Sequence, residues 1–551
     1  MTQLLSAINL KKLKGYADWK LLLFLLLFLN VKLIIKIPAI AIIYLLQFDL
    51  SFGFKLKDSR LPLFYPVIII IGIIGYIILG NYANQNYNLV FITGIGFWIV
   101  SILAIHQIKL AVERNDTQII HQTIVLFFII NTIASLLNLA VIVLDTHALN
   151  PYTYQGQYQK YFISTGDFVK GITFDTSTTN AILNAFGVIY FLTKKHMRMT
   201  LVCMAILLLT ASNFTNVFTL AILAFMFVFN STRDQKSVII ICAGFLVLFM
   251  AKISPQNNNY VINTIESAFY KKQIISPWPQ YDNTPITQRP DSTLNPEQKR
   301  EKIATLYLDS VAALPINQVK RDALPKGVPA TPAGKILLPK ADLNAPSYQW
   351  LTTTPPEQQQ LVDFIMANRA NLPLSRMREL SMVPGKVLGL KQTINFLKQH
   401  PGKMLLGDGV GNFSSKLAFR ATGLKFTGGY PHNRTYINPD FLRNHLDVYL
   451  SFFSRSAATH SLTNSPFSVY DQLLAEYGLL GLLALFIFYL GFFARHHATL
   501  TYGIPVLLLV MCLFFIDYWF EQLSVLVFFE LLVFLNIKEG KNVIMNKHKE
   551  S

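Results

Sequence analysis

Three glycines, Gly407, Gly409 and Gly411, recur at every second position of a short turn whose backbone could approach a ligand closely. Glycine adopts positive φ without steric cost, so such a turn can present its N–H groups to a neighbour. Asp408 and Asn412 lie in the same turn. The turn lacks the Lys-Ser/Thr ending of a phosphate-binding loop and follows a helical pattern rather than a strand. The spacing therefore does not favour a nucleotide site.

The sequence predicts no metal site and no cofactor. No group of His and Cys has the spacing of metal ligands, and no Gly-x-Ser-x-Gly segment indicates a serine hydrolase. The three cysteines, Cys203, Cys242 and Cys512, all lie inside apolar runs, where small buried hydrophobic side chains are expected.

Basic side chains are concentrated around the glycine turn. Residues 254–466 contain 24 Lys and Arg against 14 Asp and Glu, an excess of ten positive charges. Such side chains can neutralise an anionic ligand, although each could equally be a solvated charge or contact lipid headgroups. The candidates in the half that holds the turn are Arg376, Arg378, Lys386, Lys391, Lys416, Arg420, Arg434 and Arg443.

Four ionisable residues beside these cations could act as a general base. Glu476 opens an otherwise apolar helix, and an ionisable group at membrane depth is costly without a partner or a use. His432, His445 and His460 are the other candidates. Each histidine could instead be structural, and Glu476 could be a capping or interface carboxylate.

The elements that position these residues are apolar helices. The 551-residue chain is 52% apolar, with repeated runs close to the length that crosses a bilayer. Its net charge of +18 does not indicate nucleic acid, because the basic residues collect at the ends of apolar runs and in the polar insert. The predicted spans are 21–35, 37–48, 62–80, 88–108, 118–145, 178–193, 199–212, 215–230, 237–253, 469–494, 500–516 and 519–536.

The sequence thus predicts an all-α polytopic membrane protein with about 12 transmembrane helices. Basic loops at Lys194, Arg233 and Arg495 indicate cytoplasmic sides, and the parity of the spans then places both termini inside. This parity requires residues 21–48 to form a hairpin, broken near Lys32, Lys36 and Pro38.

Four regions follow from these spans. About nine helices occupy residues 1–253, three occupy 467–537, and a basic cytoplasmic tail occupies 538–551. Between them, residues 254–466 form a large extracytoplasmic loop. Its first part is rich in Pro, Asn, Gln and Thr, and apolar residues at helical spacing return later, which predicts a small, mainly helical cap.

Several segments, in this order, resemble the O-antigen ligase and O-antigen polymerase superfamily of bacterial membrane glycosyltransferases. The resemblance covers the helix count, the position of the large loop and about 100 residues of motif. The segments that carry it are Lys386–Thr393, His400–Pro401, Gly407–Phe413 and Tyr470–Gly481.

The chain also departs from the family pattern, as a divergent member would. Lys386 stands at the position of the family's loop arginine, and Leu390 at that of its tryptophan. Asn213 replaces the arginine of a Ser-Arg pair. The family's His-Asn pair aligns with Phe467 and the serine after it, so that His460 is the nearest histidine.

The resemblance implies a GT-C-like fold in the bacterial inner membrane and transfer of a glycan from an undecaprenyl diphosphate donor to an acceptor glycan or lipid, without metal. Other polysaccharide-assembly proteins and membrane lipids are the implied partners. Lys386, Arg420, Arg434 and Arg443 would bind the diphosphate, and His460 or Glu476 would activate the acceptor hydroxyl. The residues of the turn that would contact the glycan are Gly407, Asp408, Gly409, Gly411 and Asn412.

Other functions remain open at this stage. A polymerase and a ligase differ only in the acceptor, which the sequence does not identify. A transporter or flippase of lipid-linked sugars would also need many helices, although the division into nine helices before the loop and three after it has no visible symmetry. A non-catalytic envelope assembly protein is the third possibility.

Overall fold

The structure is a computed structural model. It describes residues 15–29, 33–146, 149–153, 169–173, 176–229, 231–254, 384–424, 430–452 and 465–550, together with a few positions between 286 and 368. His460, most of the proline-rich first part of the loop, and the basic residues before position 15 lie outside these ranges.

The described residues are helical and contain no strand, which confirms the predicted all-α class for this part of the chain. Within residues 15–254 the helices are α1 (Trp19–Phe28), α2 (Leu33–Leu46), α3 (Phe64–Ile78), α4 (Gln85–Arg114), α5 (Thr117–Thr146), α6 (Ser177–Thr193), α7 (Met197–Leu209), α8 (Asn213–Phe229) and α9 (Arg233–Leu248).

The described part of the loop is helical, and the chain then returns to apolar helices. The cap contains α10 (Gly385–Gln399), α11 (Lys416–Ala421), α12 (Pro439–Asn444) and α13 (Leu446–Phe452). The C-terminal part contains α14 (Val469–Ala484), α15 (Gly491–Ala494), α16 (Gly503–Leu513), α17 (Trp519–Gln522) and α18 (Ser524–Glu550).

Many of the helices have the character of membrane helices. Within the described ranges, four helical segments are long and apolar enough to cross a membrane: Gln85–Arg114, Thr117–Asp145, Arg233–Ile253 and Val469–Thr499. Shorter apolar helices, such as α2 and α8, accompany them. Their outward faces leave large apolar side chains exposed, including Leu45 at 86% and Phe229 at 74%. Exposed apolar surface on this scale suits contact with lipid rather than water.

Two helices form the centre of the bundle. In α6 every residue from Ser177 to Leu192 is buried, and α18 is buried from Ser524 to Phe534. Aromatic rings fill the space beside them, since Phe528 of α18 packs on Phe127 and Phe128 of α5, with ring centroids 5.2 and 5.4 Å apart. Neither helix can face lipid, so both act as the scaffold for the outer helices.

The N-terminal hairpin forms, and its break lies between Phe28 and Leu33, at the Lys32 end of the predicted region, whereas Lys36 and Pro38 lie beyond it. The chain leaves α1 after Phe28, and Pro38 lies inside α2 rather than at the bend. Lys36 is buried and donates from Nζ to Phe28 O at 2.5 Å and to Ser524 Oγ at 2.9 Å. The lysine therefore caps the end of α1 instead of marking a polar turn.

The last helix is longer than predicted. A left-handed residue, Leu523 (φ +65°), separates α17 from α18, so the expected span 519–536 is broken near its start. From there α18 continues through the expected tail to Glu550. Lys538 donates to the carbonyls of Val112 and Asn115 at 2.8 and 2.6 Å, at the C-terminal end of α4. The first basic residue of the tail thus satisfies the free carbonyls of a neighbouring helix.

Candidate functional site: the glycine turn and the cap

The glycine turn is bonded to an interruption in α14. Gly478 has φ +64° and ψ −161°, which are not helical values, so the N–H and C=O groups on either side of it lose their partners within the helix. The turn supplies replacement partners. The four backbone bonds are Asp408 N to Ala475 O (2.8 Å), Gly409 N to Glu476 O (3.1 Å), Leu479 N to Met404 O (2.9 Å) and Leu480 N to Leu405 O (3.2 Å).

Gly407 of the turn and Gly478 of α14 allow the two backbone segments to approach this closely. Gly407 has φ +73°, and a Cβ on it would lie 2.4 Å from the carbonyl carbon of Glu476. A Cβ on Gly478 would lie 2.4 Å from the carbonyl carbon of Leu405. The sequence predicted close approach to a ligand at the turn; at Gly407 the approach is to the chain's own helix.

Glu476 holds the rest of the turn. Its Oε2 accepts from Gly411 N at 2.7 Å, and its Oε1 accepts from Phe413 N at 3.1 Å and Ser415 N at 3.0 Å. The side chain is buried. Successive N–H groups of this kind form an anion-binding concavity, and here a protein carboxylate fills it. Glu476 therefore fixes the shape of the turn.

Asp408 forms an ion pair at the edge of the turn. Lys403 Nζ lies 2.5 Å from Asp408 Oδ1 and 2.6 Å from Asp440 Oδ2, so it connects the turn to α12. Burial raises the pKa of the Asp408 carboxyl to about 7, and the Lys403 ammonium opposes this shift. Burial would lower the pKa of Lys403, but the two carboxylates outweigh it and raise that pKa. Asp408 thus orients Lys403.

Lys386 lies beneath the cap rather than on its surface. Its Nζ donates to Ser465 Oγ at 3.0 Å, Phe467 O at 2.6 Å and Ile516 O at 2.8 Å. Burial lowers its pKa to about 7, while Asp517 and Asp471 act in the opposite direction. All three N–H donors have partners within the chain, so in this structure Lys386 joins α10 to the segments flanking α14 and α16 and does not face an external diphosphate.

His445 is also enclosed. Burial lowers its pKa to about 3, so the imidazole is neutral at physiological pH. Gln392 donates from Nε2 to Asp447 Oδ1 at 3.1 Å, which turns its Oε1 towards His445 Nδ1 at 3.2 Å. Nδ1 therefore carries the proton. The other nitrogen, Nε2, lies 3.8 Å from Asp471 Oδ2. A substrate cannot reach this ring without movement of the cap.

Three arginines of the cap are differently placed. Arg420 is half-buried at the end of α11, whereas Arg434 and Arg443 are exposed. None of the three has a carboxylate within 4.0 Å among the residues that the structure describes, but the charge of Arg420 does act on the Glu521 carboxylate of α17. Their segments are joined directly. Tyr436 N donates to Ala421 O at 2.9 Å, and Phe441 of α12 packs on Phe419 of α11 with ring centroids 5.2 Å apart.

The structure therefore groups some of the predicted residues and leaves others apart. The turn residues Gly407, Asp408, Gly409, Gly411 and Asn412 and the carboxylate of Glu476 form one unit, and the three arginines belong to the cap that rests on it. His460 is not among the described residues, and of His432 only the backbone is described, in a short 3-10 helix.

Sequence reasoning did not single out two further carboxylates. Glu521 accepts from Leu417 N at 3.0 Å and from Gln472 Nε2 at 2.7 Å, so it anchors α11 to the membrane helices. Glu530 accepts from Tyr65 and Tyr489 inside the bundle. Both lie in the apolar run 519–536, and the criterion that drew attention to Glu476, an acidic residue in an apolar helix, would have found them.

Comparison with known proteins adds no relative: no family model, no curated protein and no solved structure matches this chain.

Proposed function

We propose that the chain is a membrane glycosyltransferase that joins lipid-diphosphate-linked oligosaccharides, of the O-antigen ligase or polymerase type. The observation that carries the proposal is the position of three arginines, Arg420, Arg434 and Arg443, on a cap that packs on the glycine turn; Arg434 and Arg443 are exposed and form no ion pair within 4.0 Å among the described residues. Guanidinium groups bind phosphate oxygens through paired hydrogen bonds. A diphosphate leaving group needs such donors when no metal neutralises it.

In the proposed reaction the bond between the anomeric carbon and the diphosphate oxygen breaks, and the acceptor hydroxyl oxygen forms a new bond to that carbon. The hydroxyl proton passes to a base, and the diphosphate remains on the lipid with the arginines around it. His460 is the proposed base, since both oxygens of Glu476 are bonded to the turn. In this proposal Glu476 holds the turn in place, and Lys386 holds α10 against the segments beside α14 and α16.

The proposed setting is the bacterial inner membrane, with twelve spans, both termini in the cytoplasm and residues 254–466 outside. The cap and the glycine turn would then lie at the outer surface, where a lipid-linked glycan presents its diphosphate near the headgroups. Undecaprenyl diphosphate glycan, an acceptor glycan or lipid, and other assembly proteins are the proposed partners.

A transfer assay tests this function. Purified protein is mixed with a lipid-diphosphate oligosaccharide, and the glycans are separated by size. A ladder of longer products indicates a polymerase, and a single transfer to a distinct acceptor indicates a ligase. No product from folded protein with either acceptor would contradict the proposal.

A transporter of lipid-linked sugars is the second candidate, and one feature inside the bundle favours it. Glu530 is buried in α18, where its Oε1 accepts from Tyr65 OH at 2.5 Å and from Tyr489 OH at 2.9 Å. Buried carboxylates in membrane helices often belong to ion or substrate pathways, and interrupted helices such as α14 and α17–α18 occur in transporters. Movement of the lipid between vesicle leaflets without any glycan product would support this candidate.

A further inference from the structure

Two buried side chains face each other where the cap meets α14. His445 lies between α12 and α13, and its Nε2 is 3.8 Å from Oδ2 of Asp471 in the first turn of α14, too far for a hydrogen bond. Nε2 and both oxygens of Asp471 have no hydrogen-bond partner within the described ranges. The hydroxyl of Thr393 lies near Asp471, but it can donate to only one of the two oxygens. The His445 and Asp471 pair therefore lacks a donor.

Hydrogen bonds on the far side of the imidazole ring decide that Nε2 of His445 is an acceptor. Asp447 accepts from Gln392 Nε2, so Gln392 presents its Oε1 to His445 Nδ1 at 3.2 Å. Because an amide oxygen only accepts, the ring proton lies on Nδ1. The neutral ring then offers a lone pair at Nε2, and an ionised Asp471 would oppose it with another. Two lone pairs cannot bond unless a proton lies between them.

The packing around the pair favours a proton over a larger partner. A Cβ on Gly389 would lie 3.2 Å from His445 Cε1 and 3.7 Å from Asp471 Oδ2, so α10 closes this side. Phe413 stacks on the imidazole ring, with ring centroids 5.2 Å apart. The exposed fractions of the His445 and Asp471 side chains are 0% and 3%. A proton is the one missing donor that needs no space of its own.

The charged groups around the pair do not supply this donor. Glu476 of α14 and Asp447 of α13 are carboxylates, and Asp517 lies close enough to act on Lys386. Lys386 of α10 is the cation whose charge acts on Asp471. Its three N–H donors are directed to other oxygen atoms, so it cannot bond the Asp471 carboxyl as well.

We propose that Asp471 and His445 bind one proton between them, which the Asp471 carboxyl carries and donates to His445 Nε2. A neutral acid beside a neutral ring avoids the cost of burying two opposite charges. The proton fastens the segment of α12 and α13 to α14. When the pH rises and the proton passes to solvent, the carboxylate faces the ring's lone pair, and the contact becomes repulsive. Because Arg443 lies in α12, high pH should loosen the part of the cap that carries this arginine.

The rate of thiol labelling at a buried position tests this proton. The reporter is Ser414→Cys in full-length protein whose three native cysteines are replaced by Ala; Ser414 is 0% exposed and follows the phenylalanine that stacks on His445. Asp471→Asn supplies an N–H that is not lost to solvent, so this variant should keep the contact at every pH. Labelling by a maleimide is compared in nanodiscs at about pH 6 and about pH 9, a range that covers the titration of buried carboxyl groups.

The reporter with Asp471 and the reporter with Asp471→Asn should react within twofold of each other at the lower pH. At the higher pH the protein with Asp471 should react about tenfold faster, the ratio that corresponds to one lost hydrogen bond. Comparing two proteins at the same pH removes the pH dependence of the thiol, and Lys386 is present in both. Asp58→Asn, on an exposed loop, is the matched control and should respond to pH as wild type does.

Thermal unfolding first shows that each variant is folded. If Asp471→Asn does not fold, His445→Gln takes its place, because the glutamine amide can donate to the ionised carboxylate and should also remove the response to pH. A labelling ratio that stays the same at both pH values, or that falls at the higher one, would overturn the inference and leave a bound water as the partner of these atoms. Transfer activity does not enter the measurement, so the outcome is independent of the proposed function.

Discussion

Glu476 accepts three backbone hydrogen bonds from the glycine turn, and this geometry decides what the residue can do. A base needs a free lone pair directed at substrate, whereas the two oxygens of Glu476 are directed at Gly411, Phe413 and Ser415. The residue is therefore better placed to position the turn than to take a proton. His460 keeps the role of the proposed base.

Replacing Glu476 by Gln should destabilise the protein. The amide group would present a donor to at least one N–H that now meets a carboxylate oxygen, so the loss should be roughly 1.5–3 kcal/mol, the value of one hydrogen bond to a charged group. Thermal unfolding in detergent measures this change, with Asp58→Asn on an exposed loop as the matched control. A Glu476→Gln protein with wild-type stability but altered pH dependence of transfer would instead show that Glu476 is a base.

Arg420→Ala or Arg443→Ala should lower turnover by one to several decades while the protein stays folded. Losing one donor to developing charge costs roughly 3–4 kcal/mol. Lysine at either position should restore activity only partly, because an ammonium cannot form the paired contacts of a guanidinium. Arg233→Ala, at the start of α9, is the control for loss of an exposed arginine. Unchanged transfer in both cap variants would remove these arginines from the mechanism.

Lys386 should make stability depend on pH. Its pKa is about 7 in the folded protein and 10.5 in an unfolded chain, so between these values only the unfolded chain keeps the proton. Stability contributed by this residue therefore rises with pH from about 7 towards 10.5, by up to ~1.4 kcal/mol per pH unit. Unfolding of wild type and Lys386→Met across this range measures the difference. An identical slope in the two proteins would contradict the low pKa.

At the scale of elements, the interruption of α14 and the glycine turn form one structure. The turn replaces the bonds that α14 loses at Gly478, and α14 in turn supplies Glu476 to the N–H groups of the turn. Neither element would be stable in this form alone. The cap helices contact this junction through the ion pair between Lys403 and Asp440. A substitution that disrupts the turn should therefore also displace the cap arginines.

Gly407→Ala should disrupt this junction. A positive φ alone costs an alanine about 1–2 kcal/mol, and the contact of 2.4 Å with the Glu476 backbone adds to it. Gly402→Ala is a close control in the same segment, because nothing lies within 4 Å of its Cβ position and its φ is not positive. We expect loss of folded protein for Gly407→Ala and none for Gly402→Ala in size-exclusion chromatography. Similar yields for both would mean that the turn can shift away from α14.

For the whole molecule, the side of the membrane that carries the cap decides whether it can meet a lipid-linked glycan. Apolar helices precede and follow the loop in sequence, and the described part of the loop packs on them. Glu521 of α17, for example, accepts hydrogen bonds from Leu417 of the cap and from Gln472 of α14. The basic loops at Lys194, Arg233 and Arg495 predict that the loops at the other ends of these helices are cytoplasmic. The cap would then lie on the outer side.

Cysteine labelling tests the orientation. In a protein whose three native cysteines are replaced by Ala, Thr287→Cys should react with a membrane-impermeant reagent added outside, because it lies in the loop. Asp234→Cys, at the start of α9, should react only after the membrane is opened. If Thr287→Cys reacts only from the inner face, the topology is inverted and the proposed meeting with an extracytoplasmic glycan fails.

The sequence determined the helical class, most helix positions and the location of the glycine turn. These depend on local properties, since long apolar runs favour membrane helices and glycine favours positive φ wherever it occurs. The bounds predicted for α3, α5 and α6 lie within a few residues of the observed ones. Local patterns also marked Glu476 as unusual, because a carboxylate in an apolar helix is costly.

Only the tertiary structure decided what these residues touch. The partners of Glu476 are more than 60 residues away in sequence, and Lys386 meets Ile516 across 130 residues. Spacing along the chain carries no information about such contacts, so it could not show that the turn's N–H groups are occupied, that Lys386 is enclosed, or that His445 faces Asp471. The break of α14 at Gly478 was equally hidden, because a glycine in an apolar helix is ordinary until another backbone replaces the lost hydrogen bonds.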